Sequence, residues 1–158
     1  MPTYVCWTRA GQLSPDQRQR IAKSITEIHH DVALAPRYFV QVVFNELEPH
    51  SLYVGGAEAE PNHVWIRADI RSGRTQEQKS RLLASIADDV CAISHVSREN
   101  VWVYISDIPG TSVMEFGHIL PQPGEEDAWF AKLPHELQER LRSLNGGSEA
   151  DPRRSSHG

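Results

Sequence analysis

A proline stands second in the chain, directly behind the initiator methionine. Small residues in that position permit removal of the methionine, so Pro2 is expected to become the N-terminus. A free N-terminal proline is a secondary amine with a ring-fixed direction, and it can take or give a proton. Further along, Arg71-Ser72-Gly73-Arg74-Thr75 joins a strand-like run to a helix start. Two guanidinium forks, a turn and a helix N-terminus all favour an anion there, a small carboxylate or phosphate. His29 and His30 sit side by side in a helical stretch, and a histidine at the edge of a buried face can titrate or bind. Tyr104 and Glu115 offer a phenol and a carboxylate, a pair that could position and activate a water. Each residue also has a plain structural reading. Pro2 is then an end residue, the arginines are solvated surface charge, and His29 is a locally packed boundary histidine. Tyr104 is then interface packing and Glu115 an exposed acid.

The elements that must hold these groups follow from apolar spacing. Pro2 to Thr8 alternates loosely around Tyr4, Cys6 and Trp7 and reads as a strand. Ser14-Pro15-Asp16-Gln17 is a helix start, with a capping serine, a proline suited to the first turn and a glutamine completing a capping box. Ile21, Ile25, Ile28 and Val32 follow at helical spacing, and Ala35-Pro36 stops the run. With Ile21 at zero and ~100° per residue, His29 lies at about 80°, on the edge of the apolar stripe, and His30 at about 180°, facing solvent. Phe39 to Leu47 is a second strand. The plan then repeats: strand His63 to Ile70, capping box Thr75 and Gln78, stripe Leu82, Ile86, Val90 and Ile93, strand Asn100 to Ile108.

The repeat survives arithmetic. Moving forward from Ser14, Gln17, Ile25, Val40, Val42 and Leu47 by one common offset reaches Thr75, Gln78, Ile86, Val101, Val103 and Ile108. An offset three residues shorter carries Trp7 to Trp65 and Arg9 to Arg67, a loop change. This is a duplicated βαβ unit, with parallel strands inside each unit. The fold class is α/β (α+β): one four-stranded sheet with both helices on one face. The other face carries Gln41, Val43, Trp102 and Tyr104, too apolar for water, so it predicts an oligomer. Residues 2–132 read as one domain, with repeats over about 2–60 and 61–110 and an active-site loop over 109–124. A helical arm, 133–145, carries the stripe Leu133, Leu137, Leu141 and Leu144, and a polar tail, 146–158, is expected to be disordered.

Composition narrows the function. The 158 residues are 39% hydrophobic and 23% charged, as in an ordinary globule. A net charge of −5 argues against a general nucleic-acid binder. No apolar run approaches the ~20 residues of a membrane helix, and no secretion signal is visible. Two cysteines, Cys6 and Cys91, exclude a disulfide scaffold and fit a reducing cytoplasm. Eight histidines are scattered without metal-ligand spacing, so no metal and no cofactor are expected. Nucleotide-binding and nucleophile-elbow motifs are missing from the sequence.

The chain resembles the tautomerase superfamily, and most closely the cis-3-chloroacrylic acid dehalogenase family. The duplicated unit, Pro2 and Arg71-Ser72-Gly73-Arg74 carry the resemblance, with Ala22 to His30, Val40-Gln41-Val42 and Val101-Trp102-Val103-Tyr104. Met114-Glu115-Phe116-Gly117, Pro121-Gln122-Pro123-Gly124 and Trp129-Phe130 extend it. The resemblance implies a tautomerase-type fold and a homotrimer that buries the open sheet face. It implies that Pro2 is the catalytic acid, that His29, Arg71 and Arg74 hold and polarise a substrate carboxylate, and that Tyr104 and Glu115 activate water. The implied reaction adds water to a short unsaturated acid: a 3-haloacrylate loses halide, and an acetylenic acid gives 3-oxopropanoate, which related enzymes can decarboxylate. Phe116 stands where the dehalogenase has tyrosine, Ile70 where it has histidine, and the Ala33 to Arg37 loop differs. These departures favour the homologues of weaker dehalogenase activity. Two other readings compete: a keto–enol tautomerase of the phenylpyruvate type with neutral Pro2 as base, and a trimeric binding protein without catalysis.

Overall fold

A computed structural model describes residues 1–146; the tail expected to be disordered lies, from residue 147, outside the described residues. The chain runs β1 (Thr3–Arg9), α1 (Pro15–Ala33), β2 (Gln41–Leu47), β3 (Tyr53–Val54), β4 (Ala57–Glu58), β5 (Val64–Arg71), α2 (Gln76–Ser94), β6 (Val101–Ile108), β7 (Met114–Glu115), β8 (His118–Ile119), α3 (Glu126–Ala131) and α4 (His135–Asn145). The main sheet has the order β2-β1-β5-β6. Within each repeat the strands are parallel, and β1 meets β5 antiparallel. Trp7 and Trp65, equivalent in the two repeats, are register partners with rings stacked at 4.5 Å. The axis relating the repeats therefore passes through that pair.

Both capping boxes form. Gln17 N–H donates to Ser14 Oγ at 3.1 Å, and Gln78 N–H donates to Thr75 Oγ1 at 3.1 Å. Each capping glutamine has a second duty that spacing alone does not reveal. Gln17 Nε2 donates to the Ile93 carbonyl at the end of α2, and Gln78 Nε2 donates to the Val32 carbonyl at the end of α1, both at 3.1 Å. The start of each helix thus satisfies an orphan carbonyl at the end of the other. Both helices end on a left-handed residue, Leu34 and His95.

The core lies between the helices and one sheet face. Tyr4, Cys6, Ile66, Ala68 and Ile70 point from the strands, and Ile21, Ile25, Leu82, Ile86 and Val90 point from the helices. Each fully buried aliphatic side chain contributes roughly 1.5–3 kcal/mol. The opposite face carries Trp7, Trp65, Trp102 and Tyr104, with Trp65 edge-on to Tyr104 and His63 edge-on to Trp102. Trp102 is 38% and Tyr104 51% exposed, so the open apolar face is present as expected.

Some expectations need correction. β2 and β6 start later than read, because short 3-10 turns occupy Arg37–Phe39 and Arg98–Asn100. The stretch after β6 is not plain loop: Phe116 and Gly117, both at positive φ, close the β7–β8 hairpin, a turn that suits the strand twist. A small β3–β4 hairpin was also unforeseen. His30 does not face solvent freely; its ring is half-buried and lies 2.7 Å from the Ala35 carbonyl. The helical arm starts later than read, at His135 after Pro134, and within its stripe Leu133 and Leu141 are buried while Leu144 is exposed.

Candidate active site

The antiparallel pairing of β1 with β5 puts the start of one strand beside the end of the other. Pro2 enters β1 there, Arg71 is the last residue of β5, and Arg74 lies in the turn just before α2. The Pro2 carbonyl accepts from Gln41 N–H at 2.9 Å, which ties the N-terminus to β2. His29 comes down from the last turns of α1 and is only 1% exposed. The β7–β8 hairpin brings Glu115 over the same end of the sheet.

Pro2 is buried, and its nitrogen belongs to the Met1–Pro2 peptide bond. The free amine sits on Met1, and it donates to Glu115 Oε2 at 2.8 Å. Burial lowers this amine to about 6, against the raising effect of Glu115 and with help from Arg71 and Arg74. The amine, the glutamate and the two arginines therefore share one electrostatic neighbourhood.

Arg71 is 1% exposed, the largest fully buried side chain among the described residues. Its Nη1 donates to the Pro121 carbonyl at 2.6 Å, and its Nη2 pairs with Glu126 on α3. Its Nε has no partner among the described residues, and neither do Arg74 Nε and Nη1. Burial, then the neighbouring Arg71 charge, lowers the Arg74 pKa. Burial pushes Glu126 up, but the Arg71 hydrogen bond and charge outweigh it and hold the carboxyl below its ordinary range. The sequence reading also enlisted the N–H groups of the α2 start for anion binding. The capping box already occupies the Thr75 and Gln78 N–H groups, whereas buried guanidinium nitrogens of Arg71 and Arg74 remain without partners among the described residues.

His29 is held by a residue that spacing did not flag. Tyr4 Oη lies 2.8 Å from His29 Nδ1, with the rings edge to face. Burial pushes the Tyr4 phenol well above its usual value, so it keeps its proton. Burial lowers His29 to about 3, reinforced by Arg74, the terminal amine and Arg71, so the ring is neutral. The phenol is the stronger acid of the two and its hydroxyl is paired with Nδ1, so the phenol is assigned as the donor, which assigns the ring proton to Nε2. That Nε2 is buried and has no partner among the described residues. The site thus combines a neutral N–H donor with two guanidinium groups carrying unused donors. Such a set suits a carboxylate.

Tyr104 is the predicted residue that the single chain does not bring in. Its register partner is Arg67, four residues before Arg71, or about 13 Å along the strand. Its ring lies on the open face against Trp65. Glu126, Pro121 and Tyr4 were missed. Tyr4 had a signal, a phenol at a core-facing strand position that needs a hydrogen-bond partner. Glu126 had none, since only folding brings it to Arg71.

A second apolar cluster closes the site. Met1, Phe39 and Leu120 are buried in it, flanked by Tyr38, Ile108, Val113, Phe116 and Trp129. Arg140 of α4 lies over the Phe116 ring, 5.8 Å from its centroid. A Cβ on Gly73 would meet Pro123 Cγ at 2.8 Å; the arginine turn and the 121–124 segment are therefore in close contact. No group of acidic, histidine or cysteine side chains suited to a metal occurs among the described residues, and none of their helices is long and apolar enough to cross a membrane.

Known proteins share this architecture. A family described as "Putative oxalocrotonate tautomerase enzyme" matches residues 1–132. The crystal structure of N1, a member of the cis-3-chloroacrylic acid dehalogenase family, is 47% identical with a TM-score of 0.87, covering 89% of this chain and 99% of that one. A fused 4-OT solved as an asymmetric trimer is 26% identical with a TM-score of 0.66, covering 74% of this chain and 94% of that one. A "Probable tautomerase" of Streptococcus agalactiae is 36% identical over 45 residues, which are 28% of this chain and 75% of that protein.

Proposed function

The chain belongs to this tautomerase family over residues 1–132, and on that premise we propose that it is a cofactor-free enzyme adding water to small unsaturated acids. The observation that carries the reading is the set of buried donors without partners, on His29, Arg71 and Arg74. Leaving buried donors unmade costs about 1–3 kcal/mol each, and a bound carboxylate recovers that cost.

In this reading Met1 is removed and the terminal amine passes to Pro2. Arg71 and Arg74 hold the carboxylate and draw electron density from the conjugated bond, so C3 becomes electrophilic. His29 donates from Nε2 to the same carboxylate. Glu115, which already accepts from the terminal amine of Met1, directs a water to C3 and takes its proton. The Pro2 ammonium delivers a proton to C2. An acetylenic acid then gives an enol that becomes a 3-oxo acid. A 3-haloacrylate gives a halohydrin that expels hydrogen halide to leave the same product. Glu126 keeps Arg71 in place and offsets part of its charge, which leaves Arg74 as the stronger electrophile. Tyr104 joins from a second subunit, since its own strand carries it to the open aromatic face. Association through that face makes the working form a homotrimer, and the similar fused 4-OT is itself a trimer.

A second reading is supported by the burial of the terminal amine, which lowers it to about 6 on Met1. A Pro2 amine lowered likewise is neutral at pH 7 and suits a base, as in keto–enol tautomerisation. An NMR screen of 2-alkynoates, 3-haloacrylates and 2-oxo acids separates the two. The hydratase reading requires turnover of the first two classes and its loss in Pro2→Ala and Glu115→Gln. Turnover of enols alone would leave tautomerisation as the activity.

A further inference from the structure

The first residue fills an apolar seat beside Glu115. The Met1 side chain is only 6% exposed, packed with Phe39 and Leu120, which are buried to a similar degree. Its amine lies at Glu115, within the field of Arg71 and Arg74, and its charge is felt at His29. Met1 therefore stands in the reaction site with its polar end toward the reacting groups and its side chain in an apolar seat. That seat holds an unbranched chain of about four heavy atoms. Its walls include Tyr38, Phe39 and Phe116, which together with Glu115 also line an adjoining cleft of about 430 Å³.

We propose that, once Met1 is removed, this seat receives an apolar tail on the substrate, so that the enzyme selects carboxylates carrying an unbranched alkyl group of about the size of the methionine side chain. The proposal rests on the reading above that Met1 is excised and that the arginine pair takes a carboxylate. A halogen or hydrogen at C3 would fill only part of the seat. Each methylene buried there improves binding about fourfold.

The experiment is calorimetric binding of the saturated acids propanoate, butanoate, pentanoate and hexanoate to the mature protein, with Met1 removal verified by intact mass. Binding needs no turnover, so it is read separately from the activity. Dissociation constants should fall about fourfold per added methylene. Val113→Phe, which narrows the seat, should abolish that dependence while leaving propanoate affinity within about twofold. Constants that stay level or rise with chain length would overturn the proposal, and so would an unchanged length dependence in folded Val113→Phe. Hydration of alkynoates by a protein whose binding is indifferent to length would leave the hydratase reading intact and the tail seat wrong. Strong length dependence without hydration would uphold the seat and remove that activity.

Discussion

Tyr4→Phe tests the reasoning about His29 directly. The phenol hydroxyl is the partner of His29 Nδ1 at 2.8 Å. Removing it deletes one oxygen and otherwise leaves the ring in its core position, so no sizeable cavity forms. The ring of His29 then loses the donor that pins its proton to Nε2. A single buried hydrogen bond of this kind has a net worth of about 0.5–1.5 kcal/mol, or about two- to twelvefold in binding. KM for an unsaturated acid should rise by that factor. The turnover number should change by less than about twofold, because Pro2 and Glu115 are untouched. A purely structural role for Tyr4 would show the same small loss of stability but no change at the imidazole. The decisive measurement is therefore the ¹⁵N spectrum of His29: Nε2 protonated in the wild type and a mixture of tautomers in Tyr4→Phe. A wild-type ring protonated at Nδ1, or a variant with unchanged KM and tautomer, would refute the argument.

Other perturbations address the remaining parts of the site. Glu126→Gln leaves buried Arg71 without its counter-charge and should cost about 3 kcal/mol. Thermal unfolding should then show a larger rise on adding a bound carboxylate in the variant than in the wild type, and an equal rise would contradict the counter-ion role. Gly73→Ala combines a φ of +112° with a Cβ placed 2.8 Å from Pro123 Cγ, so it should destabilise by about 1–3 kcal/mol. Adding Pro123→Ala should recover the steric part but not the backbone part, as a double-mutant cycle can read. Stability should also depend on pH through His29, whose value falls from 6.5 to about 3 on folding. Between these values the unfolded chain binds a proton that the folded chain refuses. Stability is therefore full above about pH 6.5 and declines as the pH falls toward 3, by up to about 1.4 kcal/mol per unit. The difference between wild type and His29→Gln in urea unfolding from pH 4 to 7 isolates that contribution, and a difference independent of pH would dismiss it.

Local chemistry and periodicity were enough for the scaffold. The capping boxes at Ser14 and Thr75, the isoleucine stripes and the common offset between repeats are written in consecutive residues. Their physics acts over one or two helical turns, and the observed helices begin where the boxes place them. The same is true of the unsatisfied sheet face, since alternation alone sends Trp102 and Tyr104 away from the helices. The turn at Phe116-Gly117 was less legible, because a phenylalanine at positive φ contradicts its own preference and is tolerated only where its ring packs in the second apolar cluster.

The residue types of the site were also readable: a cation pair before a helix, a histidine at the margin of a buried stripe, a glutamate in a turn. Their state was decided by tertiary structure. Arg71 meets Glu126 and Pro121 across more than forty residues of chain, and Tyr4 meets His29 across twenty-five. Full burial, where spacing placed His29 only at the margin of the stripe, turns its ring neutral, and burial pulls the terminal amine down to about 6. By itself the sequence determined which groups exist and which element bears each one. Only the packed fold decided which donors have partners and which remain for a ligand, because desolvation and long-range pairing exist only once the chain has closed on itself.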